Sequence, residues 1–220
     1  MSKKKFAVVL SGSGVYDGAE IHEATLTMLA IMKQGASYQC FAPDIPQHHV
    51  INHLTGEEMN ETRNVLVESA RIARGNIKPL SEFDGKQYDA LIFPGGFGAA
   101  KNLSTVAFKG PEAEVNPEVE KAVRQMLDLG KPIGALCISP AFIAKIIGNH
   151  VELTIGSDPG TADAINAMGG KHVNTSHGEV VIDKKFKVFT TPCYMLDATI
   201  VDIDSGATNV VREMMEEMGD

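Results

Sequence analysis

Of the three cysteines in the chain, Cys40, Cys137 and Cys193, one stands in a context that makes a nucleophile. Cys137 lies in Lys131-Pro132-Ile133-Gly134-Ala135-Leu136-Cys137-Ile138-Ser139-Pro140-Ala141-Phe142, an apolar strand that runs straight into a helix start with the sulfur at the bend. Gly134 and Ala135 let the strand pack closely. Pro140 suits a first helical turn, where its missing N–H removes no helical hydrogen bond. A thiol at that bend faces the unpaired N–H groups and the positive end of the helix dipole, and the expectation is a thiolate of depressed pKa. The arrangement is the cysteine counterpart of a nucleophile elbow; its alternative is a buried core cysteine.

A nucleophile needs donors for a developing oxyanion and a partner that moves protons. Pro94-Gly95-Gly96-Phe97-Gly98 offers backbone N–H groups that a ligand oxygen can approach, and the residue after the nucleophile, Ile138, offers another. Glu20, His22 and Glu23 follow an early glycine turn. Successive helical residues point about 100° apart, so at most two of the three face one site. A carboxyl beside the thiol in a desolvated cleft has a raised pKa and keeps its proton near neutrality. For Glu20 the preferred role is that of an acid at a helix N-terminus.

Other groups carry less chemistry. Gly12-Ser13-Gly14 lacks the later glycine of a dinucleotide fingerprint, and no Gly-Lys-Ser/Thr of a phosphate loop occurs. His48, His49 and His53 do not have the spacing of a helical chelate and read as surface residues, so neither a metal nor a cofactor is expected. His177 reads as a turn residue. Cys193 follows a strand at the same sheet end as Cys137 and reads as a structural thiol.

The elements that position these residues alternate between strand and helix, which predicts a mostly parallel sheet flanked by helices. Strands are expected at Phe6–Leu10, Tyr38–Ala42, Tyr88–Phe93 and Ile133–Leu136, with a late pair at Val180–Ile182 and Val188–Thr190. The first helix is expected to bury Ile21, Met28, Leu29 and Met32 and to stop at Gly35. Further helices are expected at Val65–Ala73, through Val119, Val123, Met126 and Leu127, and over Asn209–Met218. In such a sheet, ligands bind beyond the carboxyl ends of the strands, where the turns after Leu10, Phe93 and Leu136 converge.

A chain of 220 residues with 44% hydrophobic and 22% charged residues fits one α/β domain spanning residues 1–220. The net charge of -8 argues against a nucleic-acid partner. The basic start Met1-Ser2-Lys3-Lys4-Lys5 precedes an apolar run too short for a secretion signal, and no segment reaches membrane-spanning length. An odd, widely spaced set of cysteines forms no disulfide framework, so a reducing, cytoplasmic compartment is expected.

Together, Ser11-Gly12-Ser13-Gly14-Val15-Tyr16-Asp17-Gly18 with Glu20-Ile21-His22-Glu23-Ala24, Ile51-Asn52-His53-Leu54-Thr55-Gly56-Glu57, Phe93-Pro94-Gly95-Gly96-Phe97-Gly98, Ala135-Leu136-Cys137-Ile138-Ser139-Pro140-Ala141 and Thr190-Thr191-Pro192 form a recognisable set. It resembles the ElbB subgroup of PfpI-type proteins in the class I glutamine amidotransferase-like superfamily. The resemblance covers essentially the whole chain. It implies a flavodoxin-like three-layer sandwich, a homodimer, a nucleophile at Cys137 and an acid–base carboxyl at Glu23. The implied activity is a glutathione-independent glyoxalase acting on glyoxal or methylglyoxal, an activity also interpreted as protein deglycation. The alternative is a cysteine-based stress or redox sensor. Glutamine amidotransferases need a histidine and an acid after a late strand. Here that place reads Thr190-Thr191-Pro192-Cys193-Tyr194, so no glutaminase activity is expected. Relatives with a histidine beyond the strand after the elbow are matched by Gly156-Ser157-Asp158-Pro159, which leaves His22 or Asp158 as auxiliary groups.

Overall fold

The computed structural model describes residues 3–219; Met1, Ser2 and Asp220 lie outside them. In chain order the elements are β1 (Lys5–Val9), α1 (Ile21–Lys33), β2 (Ser37–Ala42), α2 (Val65–Ile72), β3 (Ile77–Pro79), β4 (Ala90–Phe93), the short α3 (Phe97–Lys101) and α4 (Val106–Lys109), α5 (Pro117–Asp128), β5 (Ile133–Leu136), α6 (Pro140–Ile147), β6 (Glu152–Leu153), α7 (Pro159–Ala167), β7 (Lys171–His172), β8 (Val181–Asp183), β9 (Val188–Thr191) and α8 (Ile200–Met218).

Seven strands form one sheet in the order β3-β2-β1-β4-β5-β9-β8. All neighbours are parallel except β8, which closes one edge antiparallel to β9. The inner strands read as unbroken apolar runs because helices cover both faces. One core packs α5 and α6 against the sheet through Val119, Val123, Met126, Phe142 and Ile143. The other packs α1 and α8 on the opposite face through Ala24, Met28, Ile31, Ile203, Val210 and Met214. This is a flavodoxin-like three-layer sandwich. Strand order reverses beside β1, so the turns after β1, β4 and β5 meet at one end, the expected crevice.

Three expectations need correction. The first helix buries Glu23, Ala24, Thr27, Met28, Ala30 and Ile31, whereas Ile21, Leu29 and Met32 are 45%, 42% and 50% exposed. Its inward face carries a carboxyl because its first turn serves the crevice, so apolar residues alone did not mark that face. The closing helix begins at Ile200 rather than Asn209. A reciprocal capping box between Thr199 and Asp202 starts it, while the exposed Ile200 and Val201 blur the amphipathic pattern there. The strand expected at Tyr88–Phe93 starts at Ala90 and is fourth in the chain, because β3 precedes it. With three residues, β3 is too short to give a periodic signal.

Candidate active site

The elbow takes shape where β5 ends. Cys137 has φ +59°, in the left-handed region, and α6 begins at Pro140. A non-glycine residue held there stores about 1–3 kcal/mol of strain, a feature common at reactive sites. Two bonds pin the bend: the Cys137 N–H donates to the Thr191 carbonyl at 3.0 Å, and Ser139 Oγ donates to the Pro94 carbonyl at 3.0 Å. The second ties the elbow to the glycine turn.

At that turn Gly96 has φ +95°, and a Cβ there would lie 2.4 Å from the Glu20 backbone nitrogen. Gly95 makes the close approach to the nucleophile. A Cβ on it would meet Cys137 Cβ at 2.4 Å, Glu23 Oε2 at 2.8 Å and Cys137 Sγ at 3.0 Å. The missing side chain is the space in which thiol and carboxyl meet.

Glu23 is fully buried, and its carboxyl lies beside the Cys137 thiol across the space left by Gly95. Its Oε2 accepts the Gly95 N–H at 2.8 Å and its Oε1 the Tyr194 N–H at 3.4 Å. Burial, followed by the negative charge of Glu20, pushes its pKa up to about 8. Glu20 caps α1, its Oε2 accepting the Glu23 N–H at 2.7 Å, as expected for an acid at a helix N-terminus.

The Gly96 and Ile138 N–H groups favour the Cys137 thiolate. Burial and the neighbouring Glu23 charge outweigh them, and the thiol pKa lies well above its ordinary value. The depressed thiol pKa expected at the helix N-terminus is therefore corrected: with Cys137 only 7% exposed, desolvation wins. The oxyanion role of Gly95 is corrected too. Its N–H is committed to Glu23, which leaves Gly96 and Ile138 as the donors beside the sulfur.

The auxiliary candidates lie apart. His22 is exposed, and its Nδ1 hydrogen-bonds the Tyr194 hydroxyl at 2.8 Å on the outer surface. Asp158 caps α7, accepting from Thr161 N and Oγ1 at 2.8 and 2.7 Å, and these bonds hold its pKa below the usual carboxylate value. It shares with Ile138 the wall of a cavity of about 310 Å³. Cys193 is buried within the same apolar cluster as Cys137, and burial raises its pKa. Its neighbour Tyr194, whose backbone N–H helps hold Glu23, had no signal in the sequence because the contact is made by main chain.

Among the described residues, no group of three or more His, Cys, Asp or Glu side chains could hold a metal ion. His48 and His49 instead pack edge-on against each other, His49 edge-on and His48 tilted against Phe108, and His53 stacks on Tyr16. No described helix is long and apolar enough to cross a membrane.

No family model matches the chain. A human protein named glutamine amidotransferase-like class 1 domain-containing protein 3, mitochondrial, is 47% identical over 98% of this chain and 84% of its own. The ES1 protein homolog, mitochondrial, of Rattus norvegicus is 45% identical over 99% of this chain and 85% of its own. A crystal structure of an isoprenoid biosynthesis protein with amidotransferase-like domain from Ehrlichia chaffeensis is 37% identical and superposes with a TM-score of 0.90, covering 96% of this chain and 97% of that one. The relatives' names point to a mitochondrial rather than a cytoplasmic compartment and overturn the expectation drawn from cysteine usage.

Proposed function

The chain belongs to the glutamine amidotransferase-like class 1 family, and from that premise we propose that it is an ElbB-type, cofactor-independent glyoxalase that converts glyoxal or methylglyoxal to glycolate or lactate. The observation that carries this reading is the buried Glu23 carboxyl set beside the Cys137 thiol, both within 3.0 Å of the place a Gly95 Cβ would occupy, with its pKa pushed up to about 8. Two negative charges cannot share so small and dry a site, so the pair ionises once and keeps one proton between sulfur and oxygen.

In that singly ionised form Cys137 Sγ attacks the aldehyde carbon of R–CO–CHO, and the carbonyl pair moves onto oxygen. The Gly96 and Ile138 N–H groups stabilise this oxyanion until it takes the proton held by Glu23. A hemithioacetal and a Glu23 carboxylate result. Glu23 removes the C1 hydrogen as a proton and returns it to C2 through an enediol, while the C1 hydroxyl proton passes to the oxygen on C2. The product is a Cys137 thioester of the 2-hydroxy acid. Water attacks it, the C–S bond breaks, the acid leaves and the pair recovers its proton.

Amide hydrolysis makes a further demand, an acid that protonates a leaving amine, and no histidine stands in the loop after β9 to supply it. We further propose that two copies pair as a homodimer, supported by the apolar Ile21, Leu29 and Met32 on the outer face of α1. The function is tested by incubating the protein with glyoxal, methylglyoxal and glutamine in parallel. Glycolate and lactate without ammonia are expected; glutamate and ammonia would refute the reading.

A further inference from the structure

We propose that the cavity beside the elbow is a subsite for the substituent of the substrate, and that the enzyme prefers oxoaldehydes bearing an uncharged apolar group over glyoxal. The inference rests on the oxoaldehyde reading above. The cavity, about 310 Å³, is walled by Phe97, Ala100, Val106, Ile138, Ala141 and Ala164, among others. It is tied to the chemistry through the two donors. Phe97 directly follows Gly96 and Ile138 directly follows Cys137; both Phe97 and Ile138 line the cavity, and the N–H groups of Gly96 and Ile138 favour the Cys137 thiolate. The cavity thus starts at the residues next in chain to the nucleophile and to the glycine turn, and on this proposal the substituent of a carbon bonded to Cys137 Sγ extends past Ile138 into it.

Glyoxal carries only hydrogen at the second carbon's substituent position and leaves such a space empty. An aryl or branched alkyl group would fill it and exchange water for apolar wall. Charge narrows the class. Among the described residues the only ionisable side chain in the wall is Asp158, held below the usual carboxylate pKa by its bonds to Thr161, and no lysine, arginine or histidine lines the cavity. A carboxylate or phosphate on the substituent would meet a like charge with no cation to balance it.

The test compares kcat/KM for glyoxal, phenylglyoxal and 4-carboxyphenylglyoxal in the wild-type protein and in Ala164→Phe, which fills the cavity from α7. Phenylglyoxal is expected to exceed glyoxal by about tenfold or more, the scale of a filled apolar pocket. The carboxylated analogue should lose that gain, and Ala164→Phe should erase it while leaving glyoxal unchanged. Equal constants for glyoxal and phenylglyoxal, or a preference that survives the filling, would overturn the subsite. Ala107→Phe enters from the α4 wall and replaces Ala164→Phe if that variant fails to fold. If no oxoaldehyde is turned over, the glyoxalase reading fails and binding of unreactive acetophenone, followed by ligand-observed NMR, decides the subsite. Binding lost in the filled variant supports it, and no binding to the wild-type protein overturns it.

Discussion

The Gly95 N–H donates to Glu23 Oε2 at 2.8 Å, and the place where a Gly95 side chain would stand is bounded by that carboxyl and by the Cys137 sulfur. One glycine thus both orients the acid and leaves room for its contact with the thiol. Substituting it should separate those effects from the elbow itself.

Gly95→Ala puts a Cβ 2.4 Å from Cys137 Cβ, a contact that only backbone movement can relieve. A loss of about 1–3 kcal/mol in stability is expected from this overpacking, together with loss of glyoxal turnover. Thermal unfolding and kcat/KM measure the two. An active, undisturbed Gly95→Ala protein would mean that the close thiol–carboxyl contact is dispensable.

The raised pKa of Glu23 predicts a pH profile. Near neutrality the Cys137–Glu23 pair holds both protons, and it loses the first around pH 8, where Glu23 titrates. The value of kcat/KM for glyoxal, and the rate of iodoacetamide labelling at Cys137, should rise with pH through about 8 and then level off. A rate that is flat from pH 6 to 9 would contradict the shared-proton pair.

The same shift makes a stability prediction. In the unfolded chain Glu23 titrates near 4.5 and in the folded protein near 8, so between those values the folded state binds the extra proton. Burying this carboxyl therefore costs nothing below pH 4.5, costs progressively more as pH rises, and reaches its full penalty above 8. Glu23→Gln removes the ionisable group. It should stabilise the protein at pH 8.5, by at most about 5 kcal/mol, with the gain fading towards pH 5. Turnover should fall about 10²–10⁴-fold, the usual contribution of a positioned acid–base group. Chemical denaturation at the two pH values checks the sign.

Ile21, Leu29 and Met32 on α1 carry the homodimer proposal. Light scattering should give the mass of two chains for the wild-type protein and of one for the Leu29→Glu, Met32→Glu double variant. A wild-type monomer at micromolar concentration would remove the proposal.

The exposed α1 stripe also shows what could and could not be read from residues in order. Cys137 was legible because the run Ile133–Leu136 followed by Pro140 fixes a strand, a bend and a helix start within a few residues. Gly95 and Gly96 were legible as a turn, since their neighbours Phe93 and Pro94 end a strand unmistakably. Glu23 was not separable from Glu20 and His22 by local pattern; only the fold decides which of the three turns inward, and the buried face of α1 runs through Glu23, Ala24, Met28 and Ile31 while Ile21, Leu29 and Met32 face out. The hold of Tyr194 on Glu23 joins main chain late in the sequence to a side chain of the first helix, a contact that leaves no trace in local spacing. The direction of the thiol pKa was also hidden, because desolvation depends on how completely α1 and the glycine turn close over the sulfur.

The central claim, that Cys137 captures the aldehyde and Glu23 moves its hydrogen, is tested most directly by following methylglyoxal in deuterated water. Intact-protein mass spectrometry should find a hemithioacetal that accumulates on Cys137 in Glu23→Gln, while the wild-type protein releases lactate carrying deuterium at C2 wherever the Glu23 proton exchanges with solvent. Cys137→Ala should give neither adduct nor lactate. Lactate formed by Cys137→Ala at the wild-type rate, or an adduct on Cys40 or Cys193 alone, would contradict the account.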